Sequence, residues 1–319
     1  TFDTYERAFN ADLYAENRFF VTETVAMVLG GQFGWSKRKA DDRFLADGDH
    51  SGTDDYTYLN PKLGLIWDVD PTWQIFGNIS RSTEPPTFSD LSPTAGAGFA
   101  DIDPQKATTL EIGTRGRRPD SRWEWGWDVA VYRAWLRDEI QLFDLGGGMS
   151  RAANADRTVH QGVEIGFDVT VAKGLFAGGS EPDRLRFRQA YTFSDFRFDG
   201  GAYGGNELPG APRHYWRAEL LYRHPAGFYA GPNVEWVPEA YYVDNANTRK
   251  TKSYALLGLR AGWDFAFDGL NGSVFLDARN LTDERYIASA SVATRATPES
   301  ALYEPGSGAA AYAGLRLNW

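Results

Sequence analysis

Few residues of this 319-residue chain have types and spacing suited to covalent or metal chemistry. The four histidines are His50, His160, His214 and His224. None forms the His-Glu-x-x-His string of a helical zinc site or a close His pair, so each reads first as structural or solvated. His160 and His214 flank neighbouring connections, which puts both near one rim of the fold and within reach of each other. Cysteine is absent, which removes disulfides and thiolate metal ligands. Asp41, Asp42, Asp47, Asp49, Asp54 and Asp55 crowd one stretch. Their oxygens suit a divalent cation, and equally a solvated acidic loop. Glu164, Arg217 and Arg260 read as hydrogen-bonding groups rather than as an acid and a base. No catalytic constellation, metal site or cofactor is expected.

The elements that carry these side chains alternate with period two, the signature of strands. Within 251–268, Ala255, Leu257, Leu259, Ala261, Trp263, Phe265 and Phe267 take one side, against Leu256, Gly258, Arg260, Gly262, Asp264 and Ala266. Within 159–171, Val159, Gln161, Val163, Ile165, Phe167, Val169 and Val171 oppose His160, Gly162, Glu164, Gly166, Asp168 and Thr170. The last residues repeat the pattern, with Ala313, Leu315, Leu317 and Trp319 against Tyr312, Arg316 and Asn318. Such a terminal strand is an aggregation hazard in water. In a closed barrel in a bilayer, lipid covers the apolar side and pairing removes the edge. Charges on the polar sides are expensive in a dry core and suit a wet or protein-filled lumen. The formal charge of −10 argues against a nucleic-acid partner. No apolar run reaches the ~18 residues of a spanning helix, whereas barrel strands are only half apolar.

Thirteen strands are expected, at 4–19, 23–38, 55–68, 72–83, 105–117, 122–142, 158–173, 184–198, 213–224, 228–241, 252–267, 272–287 and 308–319. Short turns such as 69–72, 118–120, 224–227 and 268–272 alternate with long loops at 39–54, 84–104, 143–157, 199–212, 242–251 and 288–307. That sorting is the pattern of outer-membrane barrels, with short turns periplasmic and long loops outside. Trp67, Trp73, Trp123 and Trp125 then fall in a periplasmic aromatic girdle, Trp135 in the outer one and Trp319 at the periplasmic rim. Single-chain bacterial barrels have even strand numbers, so an odd count predicts a first strand whose upstream neighbour lies before Thr1. The chain opens inside strand-like sequence without a targeting segment, and is expected to be a mature piece of a longer protein.

Several strings are more specific. Asn78-Ile79-Ser80-Arg81-Ser82-Thr83-Glu84-Pro85-Pro86-Thr87-Phe88 opens a long loop, Glu111-Ile112-Gly113-Thr114-Arg115-Gly116 follows, and Asn280-Leu281-Thr282-Asp283-Glu284-Arg285-Tyr286 closes the penultimate strand. Tyr303-Glu304-Pro305-Gly306 and the aromatic terminus come after, and Asn154–Glu164 matches a further strand. In this order the chain resembles the C-terminal part of the TonB-dependent outer-membrane receptors, nearest the branch that includes ferric-citrate receptors. The family usually carries a basic residue after the Pro-Gly loop, where Ser307-Gly308-Ala309 stand here.

The resemblance implies an all-β, antiparallel transmembrane barrel, of which residues 1–319 are the C-terminal portion, about 13 of about 22 strands. The plug, the energy-coupling box and the first strands are absent from the sequence. It implies an active importer, not an enzyme, that takes up a ferric siderophore or other iron chelate. Cobalamin, a copper species or pyrroloquinoline quinone are alternatives of the same class; a barrel enzyme or a soluble β-sandwich binding module are alternatives of another. The sandwich predicts a second sheet over Trp263, Phe265 and Phe267. Implied partners are the TonB complex through the missing plug, outer-membrane lipid and lipopolysaccharide (through Ca²⁺ at the acidic loop), and the barrel-assembly machinery at the last strand. Ferric chelates are usually anionic, so arginines and aromatics of the long loops are the candidate ligand contacts: Arg151, Arg157, Tyr203, Arg213, His214, Tyr241, Tyr242, Arg249 and Arg295. For each, the plain alternative is a solvated loop side chain.

Overall fold

Two-residue alternation becomes one continuous antiparallel sheet. The computed structural model describes residues 3–91, 100–119, 123–146, 149–267 and 269–318. The strands are β1 (Thr4–Phe20), β2 (Val25–Asp42), β3 (Gly52–Asp70), β4 (Trp73–Glu84), β5 (Gln105–Arg118), β6 (Trp125–Gly146), β7 (Met149–Lys173) and β8 (Arg184–Phe198). They continue as β9 (His214–Arg223), β10 (Phe228–Val237), β11 (Tyr254–Phe267), β12 (Leu270–Arg279), β13 (Ile287–Ala290), β14 (Tyr303–Pro305) and β15 (Ala310–Asn318). A short helix, α1 (Phe88–Leu91), lies between β4 and β5. Thirteen strands form one sheet in the order β1 to β12 followed by β15, while β13 and β14 pair as a side hairpin. Among the described residues β1 pairs only with β2 and β15 only with β12, so the sheet has two free edges.

The expected strand number holds, but two boundaries do not. The stretch 143–157, expected as a long loop, is mostly strand. β6 and β7 run for 22 and 25 residues and stay paired from Arg137↔Arg157 through Leu142↔Ala152. Small residues (Ala152, Ala153, Ala155) and the run Gly146-Gly147-Gly148 hide the period there. The expected strand 272–287 ends at Arg279, because Asn280 and Asp283 take left-handed φ values of 50° and 51°. The connections among the described residues are otherwise sorted as expected, except that 174–183 is long at the short-turn end. Trp319 lies outside the described residues.

Cross-strand partners share a face. One row runs Trp67–Ile75–Thr114–Val129–Ile165–Tyr191–Trp216–Trp236, and a parallel row runs Leu65–Gly77–Ile112–Val131–Val163–Phe193. This apolar face is uncovered: Leu65, Ile112 and Leu315 are 56%, 59% and 63% exposed. Leu257 is exposed, and Ile165, Phe167 and Trp263 are half-buried. Among the described residues no second sheet packs on them, against the expectation of a sandwich. The opposite face carries Asp128, Asp168, Arg188, Arg217, Glu219, Glu235, Arg260 and Asp277 around a cavity of ≈ 940 Å³. Apolar out and charged in is the arrangement of a membrane barrel wall. Trp73, Trp125, Trp127 and the stacked pair Phe228–Trp263 (5.3 Å) gather at the short-turn end of the apolar face. Trp135, Trp216 and Trp236 mark the long-loop end.

The motif glycines have a steric reason. A Cβ on Gly113 would lie 2.4 Å from the Phe76 ring, and one on Gly116 2.4 Å from Trp127. Glu111 accepts the Asn78 amide N–H at 3.0 Å, joining two of the sequence strings on the lumenal face. Asn280 fastens the exit of β12 to the entry of β15. Its Nδ2 donates to the Glu284 and Ser307 carbonyls (2.9 and 3.0 Å), its Oδ1 accepts the Glu284 N–H (2.8 Å), and Asp283 accepts the Ala309 N–H (2.9 Å).

Candidate functional site at the loop end of the lumen

Buried apolar side chains form two small clusters among the described residues, both in the long-loop region rather than beneath the sheet. In the first, α1 and Ile102 fold against Ala152 of β7. The preceding segment is held by buried Arg38, which donates to the Pro86 carbonyl (3.1 Å) and to Asn10 (2.9 Å). In the second, Val243, Ala293 and Leu302 join the 238–253 loop to the loop that contains β13 and β14.

Around that second cluster the loops are knit by polar groups. Asp244 is fully buried. It accepts the backbone N–H groups of Thr248 (2.8 Å), Arg249 (3.0 Å) and Ala296 (3.1 Å), and the Thr248 hydroxyl. Burial pushes its carboxyl up, but these donors outweigh burial and hold it below the usual carboxylate range. Asn247 and Glu207 exchange bonds, with Glu207 N–H donating to Asn247 Oδ1 (2.8 Å) and Asn247 Nδ2 to the Glu207 carbonyl (2.9 Å). Asn206 Nδ2 donates to the Asn245 carbonyl (2.8 Å). Three long loops, 199–213, 238–253 and 280–309, thus form one cap. Asp244, Asn245, Asn247 and Asn206 were not picked out in the sequence. Their signal was the turn-forming string Asp244-Asn245-Ala246-Asn247-Thr248.

The cap collects five of the nine candidates. Tyr241 is buried, with its N–H on the Thr251 hydroxyl (3.2 Å). The Lys250 ammonium lies 4.1 Å from the Tyr242 ring centre. Arg249 donates to the Thr297 carbonyl (3.0 Å), Arg295 is exposed, and Tyr203 packs on Phe198 (5.5 Å). Three others sit on the opposite side of the wall. Arg157 shares its β7 face with Val159 and Val163 and donates to the Asp199 carbonyl (3.1 Å). The ninth, Arg151, is exposed farther along β7, opposite Phe143. Arg213 pairs with Asp195 (3.0 Å). His214 pairs across with Phe193, and its Nδ1 is 2.7 Å from the Tyr191 hydroxyl. His160 is on the lumenal face, stacked on Phe196 (4.3 Å) with Nε2 3.4 Å from Glu139. The two histidines are therefore separated by the sheet.

Described aspartates of the acidic stretch have separate partners. Asp41 pairs with Arg7 (3.0 Å) and Lys39 (2.6 Å), Asp42 accepts the Phe44 and His50 N–H groups, and Asp55 pairs with Lys37 (3.5 Å). No cluster of three metal-ligating side chains occurs among the described residues. Beneath the cap a second group faces the lumen. Arg217 pairs with Glu235 (2.6 Å) and lies over Tyr215 (5.2 Å), while Tyr254 donates to Glu235 (3.2 Å) and packs on Tyr286 (4.8 Å). Cation, carboxylate and phenols together suit recognition of a polar, partly aromatic molecule.

The family model described as "TonB dependent receptor-like, beta-barrel" matches residues 1–281. The chain belongs to the TonB-dependent receptors. The ferrioxamine B receptor of Salmonella typhimurium is 33% identical over 73% of the chain and 31% of the relative. The pesticin receptor of Yersinia enterocolitica is 26% identical over 83% and 35%. The crystal structure of the siderophore receptor PiuA from Acinetobacter baumannii superposes with a TM-score of 0.76 at 17% identity, covering 99% of this chain and 44% of that one. The ferric yersiniabactin uptake receptor FyuA from Yersinia pestis gives 0.71 at 20%, covering 98% and 46%. This TonB-dependent receptor chain spans about a third of the length of these curated relatives. Its apolar wall belongs in the bacterial outer membrane.

Proposed function

We propose that these thirteen strands are the C-terminal part of a larger barrel, and that the whole protein imports an iron chelate, most simply a ferric siderophore, with energy supplied through TonB. The observation that carries this reading is the cap of knit loops over a charged lumen, set on a wall with an apolar exterior. The names of the relatives support the ligand class: ferrioxamine B receptor and TonB-dependent siderophore receptor. Within the cap, exposed Arg295 is the arginine best placed to meet an anionic chelate, with Arg249 and the Tyr242–Lys250 pair beside it. Below, Arg217, Glu235, Tyr215 and Tyr254 form the next contact on the way in. In this scheme the protein makes and breaks no bond of its ligand. Lumenal pairs such as Arg260–Glu219 (3.3 Å) and Arg279–Asp277 (2.8 Å) face the plug of the complete receptor. Lipopolysaccharide surrounds the outer half of the wall, and β15 is the strand offered to the assembly machinery.

Uptake of radiolabelled iron on defined chelates, in cells with and without the intact gene and with and without a proton-motive force, tests the proposal. Loss of uptake of one chelate on deletion or de-energisation is the expected result. Unchanged uptake of every iron chelate overturns the ligand class and turns the search to copper complexes, cobalamin or a quinone cofactor.

A further inference from the structure

The 174–183 connection between β7 and β8 is the longest at the short-turn end, and its two halves differ in kind. Leu175, Phe176 and Ala177 are apolar, while Gly178, Gly179, Ser180 and Glu181 are small or polar. The apolar half is held in one shape by Asp183, which is fully buried. Its carboxylate accepts the backbone N–H groups of Leu175 (2.6 Å), Phe176 (2.6 Å) and Ala177 (2.9 Å) and the Tyr222 hydroxyl (2.8 Å). Main-chain bonds Gly174 N–H to Asp183 O and Asp183 N–H to Ala177 O, both 3.0 Å, close the loop on itself. A carboxylate on three successive amides is a rigid nest. What the nest presents is nonetheless unpacked: Phe176 is 83% exposed and Leu175 50%. A built, rigid turn that displays two large apolar side chains marks an interaction surface.

Its position says what covers it. Phe176 meets Tyr222 edge to face at 5.7 Å. Tyr222 pairs with Leu185 and Ala230, on the face that carries Phe187, Leu220 and Trp125. That is the bilayer side, so the apolar half of the turn continues the lipid-facing band past the end of the strands. The nearest cations, Lys173 and Arg184, are engaged by Glu124. Capture of an anionic headgroup is therefore not what the turn offers.

We propose that the 174–183 connection is a membrane-seated wedge, with Leu175 and Phe176 inserted in the interfacial layer of the periplasm-facing leaflet and 178–181 in water. The proposal rests on the outer-membrane barrel reading and goes beyond it by assigning a periplasmic turn to the lipid.

The chain has no cysteine, so labels can be placed singly in the intact receptor after replacing any thiol outside it. Spin labels at Leu175→Cys, Phe176→Cys, Ser180→Cys and the wall position Leu276→Cys are read by collision with oxygen and with a water-soluble nickel chelate, in phosphatidylcholine vesicles. The wedge predicts an oxygen-to-nickel ratio several-fold higher at 175 and 176 than at 180, approaching that at 276. Equal, water-like ratios at 176 and 180 with a lipid-like 276 overturn the wedge and leave the barrel standing. A label at 176 shielded from both reagents overturns it in favour of a protein partner. Insertion that appears only when phosphatidylglycerol is added overturns the apolar account. A water-like 276 removes the barrel and the wedge together.

Discussion

The carboxylate of Asp244 accepts the backbone N–H of Ala296 at 3.1 Å, tying together two loops that are 52 residues apart in sequence. Because Asp244 is fully buried, removing its oxygens leaves three amides without acceptors. Hydrogen bonds to a charged group are worth about 1.5–3 kcal/mol each, and unpaired buried donors cost a similar amount. Asp244→Ala is expected to open the cap by more than about 2 kcal/mol, a shift of roughly thirtyfold in the open fraction. Limited proteolysis on whole cells checks this: cleavage within 238–253 and 280–309 should rise together, and Asp244→Asn should fall between wild type and Ala.

The same group gives a pH dependence with a defined sign. Its folded-state pKa is depressed, so its contribution is fully present above the ordinary aspartate range and is lost as pH falls through the lowered value. Cap protection should be flat from pH 7 to 5 and weaken below about 4. Hydrogen exchange at the amides of Thr248, Arg249 and Ala296 reports it directly. Accelerated exchange on raising the pH, beyond the intrinsic rate, would contradict the assignment.

Asp183 provides a second acid-sensitive point at the opposite end of the wall. Burial opposes its charge, but Tyr222 and the three amides win and hold its pKa at about 2. The turn should therefore stay ordered through pH 4 and loosen only as the pH drops towards 2. Labels at Leu175→Cys should gain mobility over that window, and Asp183→Asn should give the mobile spectrum at neutral pH.

Asn280→Ala removes a residue that bridges Glu284 and Ser307 from a left-handed position. Loss of bonds and the strain of Ala at φ 50° together predict destabilisation of about 2–4 kcal/mol. The readout is a lower temperature at which the folded, fast-migrating band of the full receptor disappears on unboiled gels. Asn280→Gly relieves the strain and should recover part of the loss.

Facing can be tested by a charge swap between adjacent parities. Leu276→Arg places a cation on the lipid side, at a cost of about 2–4 kcal/mol near mid-membrane, while Arg260→Leu on the lumenal side should leave folding nearly unchanged. Equal yields of folded receptor for both variants would contradict the assigned faces.

Much of this architecture was legible in the residues. Val163, Ile165 and Phe167 against Glu164 and Asp168 declare a two-sided strand before any coordinate is seen, and the thirteen-strand count follows from such runs. The cap was not legible, because Asp244 and Ala296 meet through the chain's path and not through spacing. Polar loops read as solvated when their partners are other loops. Arg157 shows the opposite case. Its charge suits a loop, yet it sits two residues before Val159 on a strand, and parity with Val159 turns it away from the lumen.

The reciprocal bonds between Asn247 and Glu207, and those of Asp244, also bear on how such a receptor changes its diet over generations. Segments 199–213, 238–253 and 280–309 are welded at their buried polar centre, so none can be exchanged for a foreign counterpart alone without breaking the others. Divergence in what is imported has two open routes. One is transfer of all three segments as a single heritable block. The other is drift confined to rim positions such as Thr294 and Arg295, whose side chains are exposed and can be rewritten one codon at a time.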